Sequence, residues 1–519
     1  RRMSPQVEAA FSRLPEYLAW HVLLSASALG LGLLISLPLA VAASRNRHIR
    51  WPVLAGASLI QTIPSLALLA LFFPLLLVIS AASEDLLGYG FSALGFLPAL
   101  LALTLYSMLP IVRNGTTGIL SVDPAIIQAA EGVGMTPRQR LFQVELPLAA
   151  PVIMAGVRTA AVWTIGAATL STPVGQTSLG NYIFSGLQTE NWVLVLFGCG
   201  ASALLAMVTD QLLGLIEAGA AKRDIRRAAI GGAGILIGII VALTPLISFG
   251  KPASYVVGAK NFSEQYILAE MIAERIEDLG GDARMKEDLG SAIAYRALAS
   301  GEIDVYVDYS GTLWANVLNR EDNPGRQAVL EELTTELAER DGVLVLGSLG
   351  FENAYALAMR QDRATALGIE SLDDLARRSG GLTMGGDLEF FARPEWTAIN
   401  EAYGFDFRAR RSFQPTFMFR AVTSGDVDVI SAFSSDGRIA ADNLVALADP
   451  RQALPPYDAV VLIAPDRVND ARLLAALRPL IGSIPVEAMR DANYSVDRDA
   501  DKLRPVEAAR SLSQQLGLD

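Results

Sequence analysis

The chain has 519 residues, 52% of them apolar and 18% charged, with a net charge of −12. Residues 1–251 carry 15 basic and 11 acidic groups, whereas residues 252–519 carry 27 and 43. That division excludes a single water-soluble domain, a disordered chain and a nucleic-acid binder resting on overall basic charge, and it leaves a membrane half followed by an acidic soluble half. The one cysteine, Cys199, excludes an internal disulfide framework and a cysteine-cluster zinc site. His21 and His48 both lie in the first half, so no histidine-based metal site or Ser–His pair can be assembled in the second. No metal and no cofactor are expected.

In the first half, stretches free of Asp, Glu, Lys and Arg run over 17–44, 51–83, 86–112, 159–189, 191–209 and 228–250. About 20 apolar residues cross a ~30 Å hydrocarbon core as a helix. Six spans are therefore predicted, at about 17–44, 54–80, 90–112, 151–172, 191–216 and 228–248. Pro64 and Pro74 fall in the second, which reads either as a kinked helix or as one broken for a role in a pathway. Arg45, Arg47 and Arg50 follow the first span, Arg113, Arg138 and Arg140 the third, and Lys222, Arg223, Arg226 and Arg227 the fifth. These basic loops fall on one side, which the positive-inside rule makes cytoplasmic. The soluble half is then extracytoplasmic, on a multi-pass protein of the bacterial inner membrane surrounded by lipid.

The cytoplasmic stretch 113–150 predicts two short helices joined at Gly134, with Pro137 opening the second. Such an element is either a docking piece for a cytoplasmic partner or an ordinary amphipathic connection. Its residues are Gln128-Ala129-Ala130, three residues, Gly134, nine residues, Val144, Glu145 and Leu146-Pro147. This spacing resembles the EAA loop of ABC-importer permeases, with Gln128 standing where the pattern has Glu. The run Gln61-Thr62-Ile63-Pro64-Ser65-Leu66-Ala67 is likewise similar to the second span of osmoprotectant-type permeases. The resemblance implies that Gln128, Ala129, Ala130, Gly134, Leu146 and Pro147 couple the chain to a cytoplasmic ABC ATPase dimer. It also implies a homodimer of this chain. No G-x-x-x-x-G-K-[ST] phosphate loop occurs in the sequence, so ATP hydrolysis falls to a separate subunit.

In the soluble half, strands are predicted at Tyr255–Ala259, Ile303–Tyr309, Val343–Leu346, Tyr355–Met359, Val427–Phe433 and Ala459–Ala464. Helices are predicted at 264–279, 290–300, 326–340 and 471–481. The alternation indicates an α/β domain with largely parallel sheets, large enough for two lobes, whose ligands bind at strand carboxyl ends. Tyr309, Tyr355, Phe433 and Tyr457 all lie at strand ends. Each alone could be core or rim. Four together suggest one aromatic site, suited to a quaternary ammonium that offers no N–H to hydrogen-bond and is held by ring faces at ~0.5–2 kcal/mol each. Lys260 and Arg393 are candidate donors to a ligand carboxylate, or solvated surface charges.

Five segments carry a second resemblance. They are Gly258 to Leu268, Asp308-Tyr309-Ser310-Gly311-Thr312, Phe351 to Leu357, Phe433-Ser434-Ser435-Asp436-Gly437-Arg438 and Pro455-Pro456-Tyr457-Asp458-Ala459. In this order they resemble the substrate-binding domain of glycine betaine/carnitine/choline importers. The resemblance implies a two-lobed periplasmic-binding-protein-like fold after an all-α bundle of six transmembrane helices. It places an aromatic cage on Tyr309, Tyr355, Phe433 and Tyr457, carboxylate-side donors on Lys260, Thr312 and Arg393, and a pocket amide on Gln265. Phe433 departs from the family's usual Tyr, and Thr312 resembles betaine- or carnitine-type pockets. The expectation is an importer subunit without catalytic residues, with residues 1–250 as permease and 251–519 as binding domain for glycine betaine or carnitine. Choline and ergothioneine are alternatives on the same architecture, and a membrane-tethered sensing receptor is the alternative of another class. The coupling-loop spacing counts against the receptor.

Overall fold

The computed structural model describes residues 5–87, 91, 95–188, 191–248, 255–320, 322–387, 390–413, 415–498 and 501–518. The domain junction expected at residues 250 and 251 lies outside them, as does the side chain of Pro74. The chain divides into two compact units, Arg1–Phe184 with Val193–Pro252, and Ser185–Trp192 with Ala253–Asp519.

The first unit is helical. Its helices are α1 (Pro5–Arg45), α2 (Arg47–Thr62), α3 (Ser65–Leu87), α4 (Phe96–Leu120), α5 (Pro124–Gly132), α6 (Pro137–Arg140), α7 (Leu146–Ala168), α8 (Gly180–Gln188), α9 (Trp192–Lys222) and α10 (Ile225–Ser248). Among the described residues, five segments are long and apolar enough to cross a membrane: Ala10–Arg45, Phe96–Leu120, Pro137–Val174, Trp192–Lys222 and Ile225–Leu246. The expected second span differs, because α2 and α3 part at Ile63-Pro64. Proline has no amide to continue the helix and pushes the residue before it into extended backbone; Ile63 has φ −73° and ψ 127°. The Ile63 carbonyl freed by the break accepts the Tyr106 hydroxyl, and Gln61 Nε2 donates to the Tyr106 carbonyl at 3.2 Å.

Close packing inside this unit relies on small residues, as expected where lipid removes the hydrophobic drive. A Cβ added at Gly115 would meet Ala40 at 2.8 Å, and one at Gly156 would meet Asn114 at 2.6 Å. Leu196, Leu204 and Met207 of α9 and Leu236, Ile240 and Val241 of α10 are exposed, forming apolar faces suited to lipid. Near the middle of α7, Arg158 donates through Nε and Nη2 to Asp210 of α9 at 2.9 and 2.8 Å, and through Nη1 to Glu217 at 2.8 Å. A Cβ at Gly214, between those acids on the same helix, would sit 3.3 Å from the guanidinium carbon.

Among the described residues the second unit holds ten strands: β1 (Tyr255–Lys260), β2 (Ala283–Leu289), β3 (Val305–Tyr309), β4 (Leu344–Glu352), β5 (Tyr355–Arg360), β6 (Thr383–Asp387), β7 (Ala409–Phe413), β8 (Val429–Phe433), β9 (Leu444–Ala446) and β10 (Asp458–Ile463). They form two sheets, ordered β2-β1-β3-β10-β4 and β7-β6-β8-β5-β9. The chain passes from the first sheet to the second between β4 and β5 and returns between β9 and β10. The sheets are mixed rather than largely parallel. β10 runs antiparallel to β3 and β4, and β5 antiparallel to β8 and β9, because these strands enter their sheets directly from the other sheet instead of through a helical crossover. The helix α11 (Ser263–Asp278) packs its buried face, including Tyr266, Ile267, Met271 and Ile272, against β1.

Candidate functional site

The carboxyl ends of β1, β3, β6 and β8 and the two chain crossings converge on one cavity of about 420 Å³. Seven of the eight expected ligand residues line it: Lys260, Tyr309, Thr312, Tyr355, Arg393, Phe433 and Tyr457. Gln265 does not. It stands behind the wall, donating from Nε2 to the Tyr309 hydroxyl at 3.1 Å and accepting the Lys260 amide at 3.3 Å.

Tyr355 is the hub of the aromatic wall. It pairs with Phe433 across the β5–β8 ladder, with ring centroids 4.7 Å apart, and meets Tyr457 edge-on at 6.1 Å. Phe390 packs on it at 5.1 Å, and the Arg393 guanidinium lies 5.3 Å from its centre. Tyr309 is set apart, stacked with Phe262 at 6.1 Å and with Lys260 Nζ 5.2 Å from its ring. Gly311, two residues on, is required by shape: a Cβ there would come within 2.6 Å of the Tyr457 ring.

The two expected carboxylate donors reach the cavity already paired. Lys260, a candidate carboxylate donor, lines the cavity buried and ion-paired with Asp308, itself 1% exposed. A buried Lys must be compensated, and Asp308, itself buried, compensates it. Arg393 is held by Glu395 through Nε and Nη2, each at 3.0 Å, and its Nη2 lies 3.4 Å from the Tyr457 hydroxyl, which donates to Glu395.

A second network had no role in the sequence reading. Glu264 is 2% exposed, and its Oε1 accepts the Tyr309 hydroxyl at 2.5 Å and Asn353 Nδ2 at 3.0 Å, while Oε2 accepts Asn493 Nδ2 at 2.9 Å. Asn353 sits on the first chain crossing, and Asn493 also donates to the Ser435 carbonyl beyond β8 at 3.0 Å. Burial pushes the Glu264 carboxyl up, against the lowering effect of these donors. Burial and the neighbouring carboxylate push the Tyr309 phenol well up too. The cavity also presents Asn261, Ser291, Asp387, Asp436, Arg438 and Asp497. Asp497 is partly open at the cavity wall, bonded by Ser263, and desolvation pushes its carboxyl up to about 6 against the pull of Arg438. Phe262, Glu264, Asn353, Asp436 and Arg438 fall within the segments that carried the resemblance; Asn493 and Asp497, on the helix Val486–Asp497, gave no signal. Among the described residues no cluster of His, Cys, Asp and Glu is arranged to hold a metal ion.

In the first unit, α5 ends at Gly132 and Gly134 takes φ +81°. The Gly134 amide returns to the Glu131 carbonyl at 3.0 Å and the Met135 amide to Ala130 at 3.1 Å, a paired closure that needs the left-handed residue. Thr136 and Gln139 cap α6 reciprocally, with Pro137 in its first turn. Gln128, Ala129, Gly134 and Pro147 are exposed, Leu146 is half-buried and Ala130 is buried. Ile126, Val133 and Phe142 add exposed apolar area to the same segment, at 42, 75 and 66%.

Residues 253–514 match the substrate-binding domain of ABC-type glycine betaine transport systems, and residues 32–222 match the inner-membrane component of binding-protein-dependent transport systems. The chain belongs to this family of ABC importers. It is 30% identical over 497 residues to an ergothioneine transport permease/ergothioneine binding protein of Helicobacter pylori, covering 92% of this chain and 86% of that one. Its membrane unit is 40% identical over 197 residues to the choline transport system permease OpuBB of Bacillus subtilis, covering 38% of this chain and 83% of the relative. A solved structure described as a glycine betaine/carnitine/choline ABC transporter aligns at 26% identity and a TM-score of 0.47, over 51% of this chain and 99% of its own. The importer subunit thus joins a permease and a substrate-binding domain in one multi-pass inner-membrane chain, with a separate ATPase partner.

Proposed function

We propose that this importer captures a trimethylammonium betaine bearing a sizeable polar side group, of the ergothioneine kind, on the extracytoplasmic side. The observation that carries the reading is the cavity of about 420 Å³, which has polar groups well beyond its aromatic wall and Arg393. Glycine betaine, with one methylene between its ammonium and its carboxylate, would leave much of that volume, Asn261, Ser291 and the Asp436–Arg438 ion pair out of contact. A larger solute would reach them. The similarity to an ergothioneine binding protein along nearly the whole chain supports the same choice.

In this reading Tyr355, Phe433 and Tyr457 receive the trimethylammonium, Tyr309 closes the site from the other sheet, and the Arg393–Glu395 pair turns a guanidinium edge to the carboxylate. Thr312 supplies a hydroxyl. Glycine betaine and carnitine, which suit the same rings and Arg393, are the second reading. Residues 113–150 seat on an ATPase dimer, the exposed Ile126, Val133 and Phe142 entering its surface, and two copies of the chain form the pathway.

Calorimetry of the full chain in detergent against ergothioneine, glycine betaine, carnitine and choline tests the assignment. Ergothioneine should bind at least about tenfold more tightly than the others, a difference of ~1.4 kcal/mol. Glycine betaine or carnitine binding as tightly would promote the second reading, and no binding by any would overturn both.

A further inference from the structure

The cytoplasmic segment is held in place by charges more than by a core. Ala130 is the buried residue of α5, and α6 buries none. Glu145, at the position that the coupling pattern leaves unspecified, is 1% exposed. Its Oε1 accepts Arg45 Nη1 at 3.0 Å and Arg140 Nε at 2.8 Å, and its Oε2 is paired with Arg45 Nη2. Arg140 reaches back through Nη1 to Glu131 of α5. The series Glu131–Arg140–Glu145–Arg45 alternates in sign and runs from the exposed face of α5 to the last residue of α1.

Two local features lie along this series. Residues Leu141–Glu145 form one π-helical turn, a widened turn found mostly at functional places in helices. Beyond Arg45, the Arg50 guanidinium bonds the carbonyls of Ala43 and Ser44 at 2.9 and 3.2 Å and secures the end of α1. That helix packs along α4, α7 and α10. A buried ion pair is weak support for stability, since desolvation offsets its attraction, and its best-attested use is to fix register.

We propose that Glu145 is the positioning residue that ties the coupling segment to α1, so that displacement of the segment by the ATPase is delivered to that span. The inference rests on reading residues 113–150 as the coupling segment.

The test uses the full chain with its ATPase in vesicles, and uptake of labelled ergothioneine, with glycine betaine in a parallel arm. Glu145→Gln keeps the shape and removes the charge; Glu145→Asp keeps the charge. The expected result is a fall of at least about tenfold in maximal uptake for Gln, an unchanged half-saturating concentration, continued co-purification of the ATPase, and recovery of most uptake with Asp. Full uptake with Gln would overturn the proposal, as would equal losses with Gln and Asp, which would indicate packing alone. If Glu145→Gln does not reach the membrane, Arg45→Gln carries the same expectations and the same refuting result. Gly134→Val separates the two readings. Full uptake in that variant overturns the coupling segment itself, whereas arrest there beside normal uptake in Glu145→Gln removes the Glu145 inference alone.

Discussion

Glu145 of the first unit and Glu264 of the second are both buried, and the two are compensated in opposite ways. Glu145 meets two guanidinium groups, one of them on a side chain 39% exposed, whereas Glu264 meets the Ser435 hydroxyl, a phenol and two amides, with no cation bonded to it among the described residues. Full charges suit a place near water where separate helices must keep register. Neutral donors allow a carboxylate to be buried whole at the meeting of two sheets, at the cost of a raised proton affinity. One device ties short helices to a long one, and the other builds the floor of the cavity.

The sharpest way to break this comparison is to remove both carboxylates in turn. Glu264→Ala strands four buried donors, from Ser435, Tyr309, Asn353 and Asn493, and should cost on the order of 3 kcal/mol or more in thermal or denaturant unfolding. Glu145→Ala should cost less, because Arg45 can turn to water and Arg140 keeps Glu131. Equal losses would show that the two surroundings are not different in kind.

The paired cation at the cavity gives the next effect. Arg393→Ala leaves Glu395, whose side chain is 2% exposed, without its guanidinium partner. Betaine binding should weaken by ~1.5–3 kcal/mol relative to choline, which lacks a carboxylate and gains from the bared acid. Calorimetry with both ligands measures the gap, and a parallel change would make Arg393 a purely structural residue. Among the rings, Tyr355→Ala should weaken ligand binding by ~1–2 kcal/mol. Tyr309→Phe should leave affinity nearly intact but reduce stability by ~1 kcal/mol, through the bond that Glu264 loses. The reverse pattern would exchange their roles.

The smallest effect concerns Asp497. Its carboxyl is raised to about 6 from an ordinary 3.8, so the folded state holds the proton more tightly and stability falls as pH rises from about 4 to about 6. Asp497→Asn should flatten that fall in melting curves taken between pH 4.5 and 7. The gain near neutrality should stay below ~1.4 kcal/mol, the worth of one pKa unit, because water reaches the group. A pH dependence identical to the parent would assign the fall to another residue.

Much of the fold was legible. The buried strand β10 is an apolar run from Ala459 to Ile463, and α11 and the helix Arg326–Asp341 lie within a residue or so of their predicted bounds. β2, β7 and β9 were missed: each lies at an edge of its sheet, and sequences such as Ala409-Arg410-Arg411-Ser412-Phe413 carry little of the apolar signal of a covered strand, whereas the edge strand β4 is apolar enough to be predicted. β6 was hidden by Gly385 and Gly386. The rings and Arg393 were legible as residues of one site, but their partners were not. Asp308 stood without a role in a segment that carried the resemblance and Glu395 in none, and nothing local announces that Asn493 bonds a glutamate 229 residues earlier.

The Arg158 cluster bears on how the chain is made. A lone Arg or Asp near the centre of a span costs ~2.5–3.5 kcal/mol on the translocon insertion scale. Arg158 and Asp210 both sit near the middle of their helices, and each finds its counter-charge on the other. Synthesis therefore brings α7 to the bilayer 52 residues before the partner that completes it. The two spans are best released into lipid together, so that membrane assembly of this unit is ordered by an ion pair rather than by hydrophobicity alone.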